Sequence, residues 1–240
     1  MQDSPSPDRR PHAPDVGVVI VAAGSGTRTG SAELKQFRWV AGKPMLLHSV
    51  QTFQDRPDVA QVVCVLPRSH AGDPPPWLFQ SDLERLALTV GGRTRGDSVI
   101  AGLQELEDEC RVVLVHDAAR PLVPPDVIDR VISAARAGTG AVAAMPVVDT
   151  LKEVDDDGRV VRTVERAGLW RAQTPQGFPR DMIDRAYFEA RRDGVELTDD
   201  AAVCERLGLP VVVVRGSERL MKVTEEPDFA RADAIAGLGA

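Results

Sequence analysis

The residues best suited to chemistry lie in short polar loops, each following an apolar run. Ala22-Ala23-Gly24-Ser25-Gly26-Thr27-Arg28 follows the run Val16–Val21. Gly24 and Gly26 let the backbone approach a ligand closely and turn N–H groups towards it. Arg28 adds fixed positive charge, and Lys35 stands seven residues beyond it. Such a loop suits the phosphates of a nucleoside triphosphate. It is not a P-loop, because no Gly-Lys-Ser/Thr is present, and glycines at 24, 26 and 30 miss the dinucleotide spacing. Taken alone, it is read equally well as a strand-to-helix turn with solvated charges. His116-Asp117-Ala118-Ala119-Arg120-Pro121 follows the run Val112–Val115. A carboxylate at the end of a buried strand is placed to hold Mg²⁺, a hard cation that favours oxygen ligands and phosphates. The competing reading is an Asp117 that caps a turn and pairs with Arg120. In Gly91-Gly92-Arg93-Thr94-Arg95-Gly96-Asp97-Ser98, paired glycines, a helix N-terminus and a hydroxyl suit a base or ribose. A polar connection with exposed arginines remains equally open.

Further polar groups lie downstream, at Asp149-Thr150-Leu151-Lys152, Glu165–Trp170, Gln173–Phe178, Thr198-Asp199-Asp200 and Met221-Lys222-Val223-Thr224. Lys152 reads as a solvated residue and Trp170 as packing. Lys222 precedes a helix start signalled by Thr224, Glu225 and Glu226, where a second phosphate could dock near the positive helix end.

The elements that must position these loops are read from periodicity. Val16–Val21, Val62–Leu66, Val112–Val115, Ala141–Met145 and Val211–Val214 are apolar throughout, as in strands buried on both faces. Helix-period segments alternate with them at Pro44–Phe53, Asp97–Leu106, Pro125–Ala135 and Pro179–Ala190, with capped helix starts at Thr198 and Thr224. The alternation implies an α/β fold with a mostly parallel sheet and ligands at the carboxyl ends of its strands. Val147–Val164 reads as two short strands around Asp155-Asp156-Asp157-Gly158, a hairpin that projects as an arm over about residues 147–166. No repeat and no linker divides the chain, so one domain over residues 16–240 is expected, after a polar, proline-rich, disordered lead-in over residues 1–15.

Composition agrees. The chain has 240 residues, 43% hydrophobic and 27% charged, enough for a full core. A net charge of −7 without a Lys/Arg run argues against nucleic acid. No apolar run approaches a membrane span, and the N-terminus lacks a signal-peptide stretch. Three well-separated cysteines suggest reduced thiols and a cytoplasmic location, and four scattered histidines argue against zinc.

In this order, from about Val18 to Phe229, the segments resemble the 2-C-methyl-D-erythritol 4-phosphate cytidylyltransferases of the non-mevalonate isoprenoid pathway. The resemblance rests on Ala22–Gly26, Lys35-Gln36, Gly91-Gly92 with Asp97-Ser98, His116–Pro121, Asp149–Lys152, Arg166, Thr174-Pro175-Gln176, Thr198-Asp199 and Lys222-Val223-Thr224. It implies a single-domain, Rossmann-like nucleotidyltransferase fold. It also implies attack by the phosphate of methylerythritol phosphate on the α-phosphorus of CTP, with pyrophosphate leaving. Of the catalytic set it implies, Arg28 and Lys35 would stabilise charge on the α-phosphate, while Arg166 and Lys222 would position the acceptor. Ala22, Ala23, Gly24, Gly26, Gly91, Gly92, Asp97, Ser98 and Ala118 would hold the nucleotide; Arg120, Thr150, Thr174 and Thr198 would meet the acceptor; Asp117 would serve Mg²⁺. The arm would cross to a second subunit in a homodimer, bringing Thr150 and Arg166 to the neighbour's site. Two positions depart from the family pattern: Leu34 stands where proline is usual, and Thr27 where arginine or glutamate is frequent. Leu34 suggests a less rigid loop 27–34.

Two rivals stand beside this reading, a near one of the same class and one of another class. A ribitol-5-phosphate cytidylyltransferase would share the fold and CTP chemistry, but those enzymes tend to carry valine where Ala119 stands, and to lack Lys152 and the Arg166–Trp170 run. A non-catalytic nucleotide sensor should have lost charges that Arg28, Lys35, Asp117 and Lys222 retain. Fusions with a cyclodiphosphate synthase are known for this family type; no second catalytic domain is expected before Ala240.

Overall fold

A computed structural model of the chain describes residues 13–24, 34–195 and 198–238. Most of the expected lead-in, residues 1–12, lies outside the described residues, but Asp15 belongs to the fold. Its carbonyl accepts from the N–H groups of Arg111 (2.8 Å) and Val112 (3.1 Å), and its carboxylate pairs with Arg136.

The elements run β1 (Val16–Val21), β2 (Trp39–Val40), β3 (Lys43–Pro44), α1 (Met45–Gln54), β4 (Val59–Leu66), α2 (Arg68–Ala71), β5 (Leu86–Val90), α3 (Arg95–Gln104) and β6 (Val112–Asp117). They continue with α4 (Pro125–Arg136), β7 (Gly140–Pro146), β8 (Leu151–Val154), β9 (Val160–Val164), β10 (Trp170–Pro179), α5 (Arg180–Arg192), α6 (Asp200–Glu205), β11 (Val211–Arg215) and α7 (Glu226–Gly237). Seven strands form one sheet in the order β11-β7-β10-β6-β1-β4-β5. β1 runs parallel to β4 and β6, β4 to β5, and β7 to β11; β10 alone is antiparallel to both its neighbours.

The period of two along a strand divides the core into two layers. Val18, Ile20, Val62, Cys64, Leu66, Val112 and Leu114 pack on one face with α1 and α4. Val19, Val63, Val65, Val113 and Val115 pack on the other with α3 and α5. Both faces of these strands are buried under helices, which is why they read as apolar runs; each fully buried Val or Leu contributes roughly 1.5–3 kcal/mol. In α4, Val127, Ile128, Val131, Ile132 and Ala135 form the buried stripe that its periodicity implies.

Several boundaries differ from expectation. β10 is not marked by periodicity, because Gln173, Thr174 and Gln176 break its apolar pattern; all three are buried and hydrogen-bonded. α3 begins at Arg95 rather than Asp97, since Thr94 and Asp97 form a reciprocal capping box. α6 is capped by Asp199 rather than Thr198, and α7 by Glu225 rather than Thr224.

The arm is a separate two-stranded sheet in which Leu151 pairs with Val164 and Lys152 with Thr163. Asp155 closes its turn by accepting from the N–H groups of Asp157 (3.0 Å) and Arg159 (2.8 Å), with Gly158 at φ 78°. Val148, Val154, Val160 and Val161 on or beside the arm are all more than half exposed, so the body of the chain does not cover them.

Candidate active site

Asp117 is the last residue of β6, and its register partner on β1 is Val21. The chain therefore leaves the sheet side by side at Ala22 and Ala118. Succession on β1 turns one way to β4 and β5 and the other way to β6, so this crevice is the topological switch point of the sheet, where open α/β folds bind ligands. A cleft of about 460 Å³ opens there, lined by Ala22, Ala23, Gly24, Lys35, Gln36, Gly92, Arg93, Arg95, Ser98, Asp117, Ala118 and Lys222 among others. A second cleft of about 270 Å³ is lined by Arg120, Gln173, Thr174, Gln176, Thr198 and Asp199, and shares Arg95, Asp117 and Lys222 with the first.

The floor of the larger cleft depends on glycine. A Cβ at Gly91 would lie 2.2 Å from the Cβ of Ala23, so only glycine lets these two loops meet. The Gly91 N–H donates to the Leu66 carbonyl at 2.8 Å, and the Ala22 N–H to that of Val65 at 2.9 Å. Buried Gln36 pins the rim, its amide donating to the carbonyls of Ala22 (2.6 Å) and Gly24 (3.1 Å). Ser98 donates to the Thr94 carbonyl at 3.0 Å.

Asp117 is the electrostatic centre. Lys222 Nζ donates to its Oδ2 at 2.8 Å, Arg95 approaches Oδ1 at 3.3 Å, and Arg120 Nε stands 4.0 Å away. Burial would raise its pKa, but Arg95, then Lys222 and Arg120, outweigh burial and hold the carboxyl well below the usual carboxylate range. Its backbone is fixed as well. The Asp117 N–H donates to Thr174 Oγ1 (3.0 Å), the Thr174 hydroxyl lies 3.1 Å from His116 Nδ1, and His116 Nε2 lies 3.0 Å from the Arg120 carbonyl. The chain of donors closes if His116 is neutral with its proton on Nε2. Burial is the main cause that lowers the His116 pKa to about 4.

The expected site residues divide as follows. Gly26 and Arg28 lie outside the described residues. Ala22, Ala23, Gly24, Lys35, Gly92, Ser98, Asp117, Ala118 and Lys222 converge on the larger cleft, and Gly91 supports its floor. Lys35 Nζ donates to the Val223 carbonyl at 3.4 Å, beside Lys222. Leu34 holds φ at −63°, the value proline would impose, so this departure leaves the backbone entering Lys35 as a proline would set it. Arg120, Thr174 and Thr198 line the second cleft. Asp97 does not line the larger cleft, because its carboxylate is engaged by the Thr94 N–H in the capping box. Thr150 and Arg166 line neither cleft; Arg166 is exposed on the arm and donates to the Val148 carbonyl. Lys222 stands four residues before α7 and faces Asp117, not the helix end.

Sequence reading assigns Arg95 and Gln36 no site role of their own, although they stand in the Gly91–Ser98 loop and the Lys35-Gln36 segment. A signal existed for Arg95: a cation opening a helix works against the helix dipole and so demands a partner elsewhere. Gln36 is marked only by the family resemblance, since its two acceptors are backbone carbonyls with no trace in residue type.

Among the described residues, no group of three or more His, Cys, Asp or Glu could hold a metal ion. A cation at Asp117 would have to complete its shell with phosphates and water, a mode that Mg²⁺ accepts. No helix among the described residues is long and apolar enough to cross a membrane.

Comparison with known proteins agrees with this geometry. A 2-C-methyl-D-erythritol 4-phosphate cytidylyltransferase of Streptomyces coelicolor is 45% identical over 227 residues, covering 90% of this chain and 83% of that protein. A bifunctional enzyme IspD/IspF of Desulfotalea psychrophila is 39% identical over 217 residues; the match takes in 90% of this chain, which spans about half (55%) of that protein's length. The crystal structure of 2-C-methyl-D-erythritol 4-phosphate cytidylyltransferase from Thermus thermophilus superposes with a TM-score of 0.78 at 34% identity, covering 91% of this chain and 98% of the other. Residues 16–237 match the family described as IspD: 2-C-methyl-D-erythritol 4-phosphate cytidylyltransferase, and the chain belongs to that family.

Proposed function

We propose that the chain transfers CMP from CTP to 2-C-methyl-D-erythritol 4-phosphate, giving 4-diphosphocytidyl-2-C-methyl-D-erythritol and pyrophosphate. The observation that carries this reading is the pair of clefts sharing Arg95, Asp117 and Lys222 at the switch point of the sheet. A nucleotide in the larger cleft would present its α-phosphate to the shared wall, and a phosphorylated acceptor would approach from the other side. An oxygen of the acceptor phosphate forms the new bond to the α-phosphorus. The bond to the bridging oxygen breaks, and pyrophosphate leaves with the electron pair. Such a transfer needs positioning and electrostatic stabilisation, not a protein nucleophile.

Lys35, with Arg28, stabilises charge on the α-phosphate. Lys222 lines both clefts and serves the acceptor phosphate together with Arg120. Asp117 would hold Mg²⁺, which when bound neutralises charge on the triphosphate. The base is read largely by backbone groups of the Ala22–Gly24 and Gly91–Gly92 loops. The exposed valines of the arm favour a second copy of the chain as its cover, in a homodimer where Thr150 and Arg166 reach the neighbour's acceptor cleft. Three buried, unpaired thiols at Cys64, Cys110 and Cys204 favour a cytoplasmic location.

The test is pyrophosphate release by purified protein with Mg²⁺, each of the four NTPs, and methylerythritol phosphate or ribitol phosphate. CTP with methylerythritol phosphate is the expected productive pair. A folded sample inactive with that pair overturns the reading.

A further inference from the structure

One guanidinium serves both halves of the site. Arg95 opens α3 directly after the Gly91–Thr94 loop, against the helix dipole. Its Nη1 and Nη2 donate to Asp200 Oδ1 at 3.0 Å and Oδ2 at 2.8 Å, a planar two-bond pairing that lysine cannot make. The Asp200 side chain is 0% exposed, and its Oδ1 also accepts from the Tyr187 hydroxyl at 2.6 Å. Burial, then the negative charge of Asp200, pushes the Tyr187 phenol up, so it stays a donor. On its other side Arg95 Nε reaches Asp117 Oδ1 at only 3.3 Å.

Asp200 directly follows Thr198 and Asp199, which line the acceptor cleft. Asp199 is held in turn, accepting from the Gln176 amide at 3.0 Å and from the Ala202 N–H at 3.0 Å. Contacts therefore run without a gap from Asp117 through Arg95 and Asp200 to Tyr187, joining β6, α3, α6 and α5. Buried ion pairs contribute little net stability compared with apolar substitutes. This one instead ties the loop that floors the nucleotide cleft to the turn that walls the acceptor cleft.

We propose that Asp200 and Tyr187 are positioning residues: by gripping Arg95 they lock the Thr198–Asp199 turn against the nucleotide loop and so set the acceptor cleft relative to the bound nucleotide. The inference rests on the function proposed above. Neither residue reaches the reacting atoms; both act through Arg95. The shared Asp117 carboxylate thereby keeps only the longer contact to the guanidinium, 3.3 Å, beside its 2.8 Å bond from Lys222.

The test uses Asp200→Asn, which keeps the volume and removes the charge, and Tyr187→Phe, which removes one hydroxyl. Steady-state kinetics give KM for each substrate, calorimetry gives the CTP Kd without acceptor, and thermal unfolding gives Tm. Losing a charged hydrogen-bond partner should raise KM for methylerythritol phosphate roughly 10-fold or more in Asp200→Asn, and less in Tyr187→Phe. The CTP Kd should move by less than about 2-fold, and Arg95→Gln combined with Asp200→Asn should lose no more than the worse single variant. A rise in CTP Kd equal to that in acceptor KM, additive losses, or a lower Tm with both KM values intact each overturn the proposal. If Asp200→Asn does not fold, Tyr187→Phe carries the same comparison. Wild-type protein inactive with CTP and methylerythritol phosphate sinks the underlying function; an active wild type whose variants keep their acceptor KM sinks this inference alone.

Discussion

His116 should make the fold sensitive to acid in a defined window. It lies fully buried beside Phe53, ring centroids 5.3 Å apart, and is bonded to Thr174 and to the Arg120 carbonyl. Its folded pKa of about 4 lies below the ordinary 6.5, chiefly through burial. Between those values the unfolded chain binds more protons than the folded one, so stability falls as pH falls through the window and levels off below it. At 1.36 kcal/mol per pKa unit, the full effect is about 3 kcal/mol, of which about 2 kcal/mol is lost between pH 7 and pH 5. The perturbation is His116→Gln, which cannot titrate. Losing the ring and one hydrogen bond should cost about 1–3 kcal/mol at pH 7. Urea unfolding of both proteins at pH 7, 6 and 5 then measures the gap. The gap should narrow by about 2 kcal/mol at pH 5, because only the wild type pays the protonation penalty. Parallel pH dependences for the two proteins would refute a neutral buried His116. A gap that widens would mean that the folded state favours the charged ring.

Lys35→Ala should lower kcat on the order of 10²-fold, since it acts on charge that develops during transfer; a change confined to KM would remove it from that role. Lys222→Ala should mainly raise KM for methylerythritol phosphate, and a loss of CTP affinity instead would assign Lys222 to the nucleotide. Gly91→Ala drives a Cβ to 2.2 Å from the Ala23 Cβ. Overpacking of this kind should cost about 1–3 kcal/mol and weaken CTP binding in calorimetry; unchanged CTP affinity would show that the loops can part freely. Mixing inactive Lys35→Ala with inactive Arg166→Ala chains should restore some activity if the arm serves a neighbour. No recovery after proven subunit exchange would argue for sites built within one chain.

Much of this architecture was legible because burial on both faces leaves a simple trace. β1, β4, β6 and β7 announce themselves as apolar runs, and the α4 stripe repeats with helical period; β11 reads the same way but is an edge strand, where Val212 and Val213 stand exposed rather than buried on both faces. The arm was legible from Asp-Gly between β-branched runs. β10 was not, since its Gln173, Thr174 and Gln176 look like loop residues until Ser217, His116 and Asp199 are seen to satisfy them. Capping residues fall one or two positions from where the sequence suggests, because several adjacent Asp, Glu and Thr side chains could each reach the first free N–H groups and only packing selects one.

What the sequence determined by itself was the set of parts: an α/β sheet, loops at its strand ends, and in Lys35, Asp117 and Lys222 the charges that a phosphate reaction needs. Those residues carry their meaning locally, in their type and in what directly precedes them. What only the tertiary structure decided was how the charges are shared. Lys222 and Asp117 meet across 105 positions of chain, as do Arg95 and Asp200. A buried tyrosine hydroxyl on an apolar helix stripe completes the second pair. Pairings over such separations leave no periodic trace in a sequence; they exist only because the sheet brings β6, α3, α6 and the segment before α7 to one crevice.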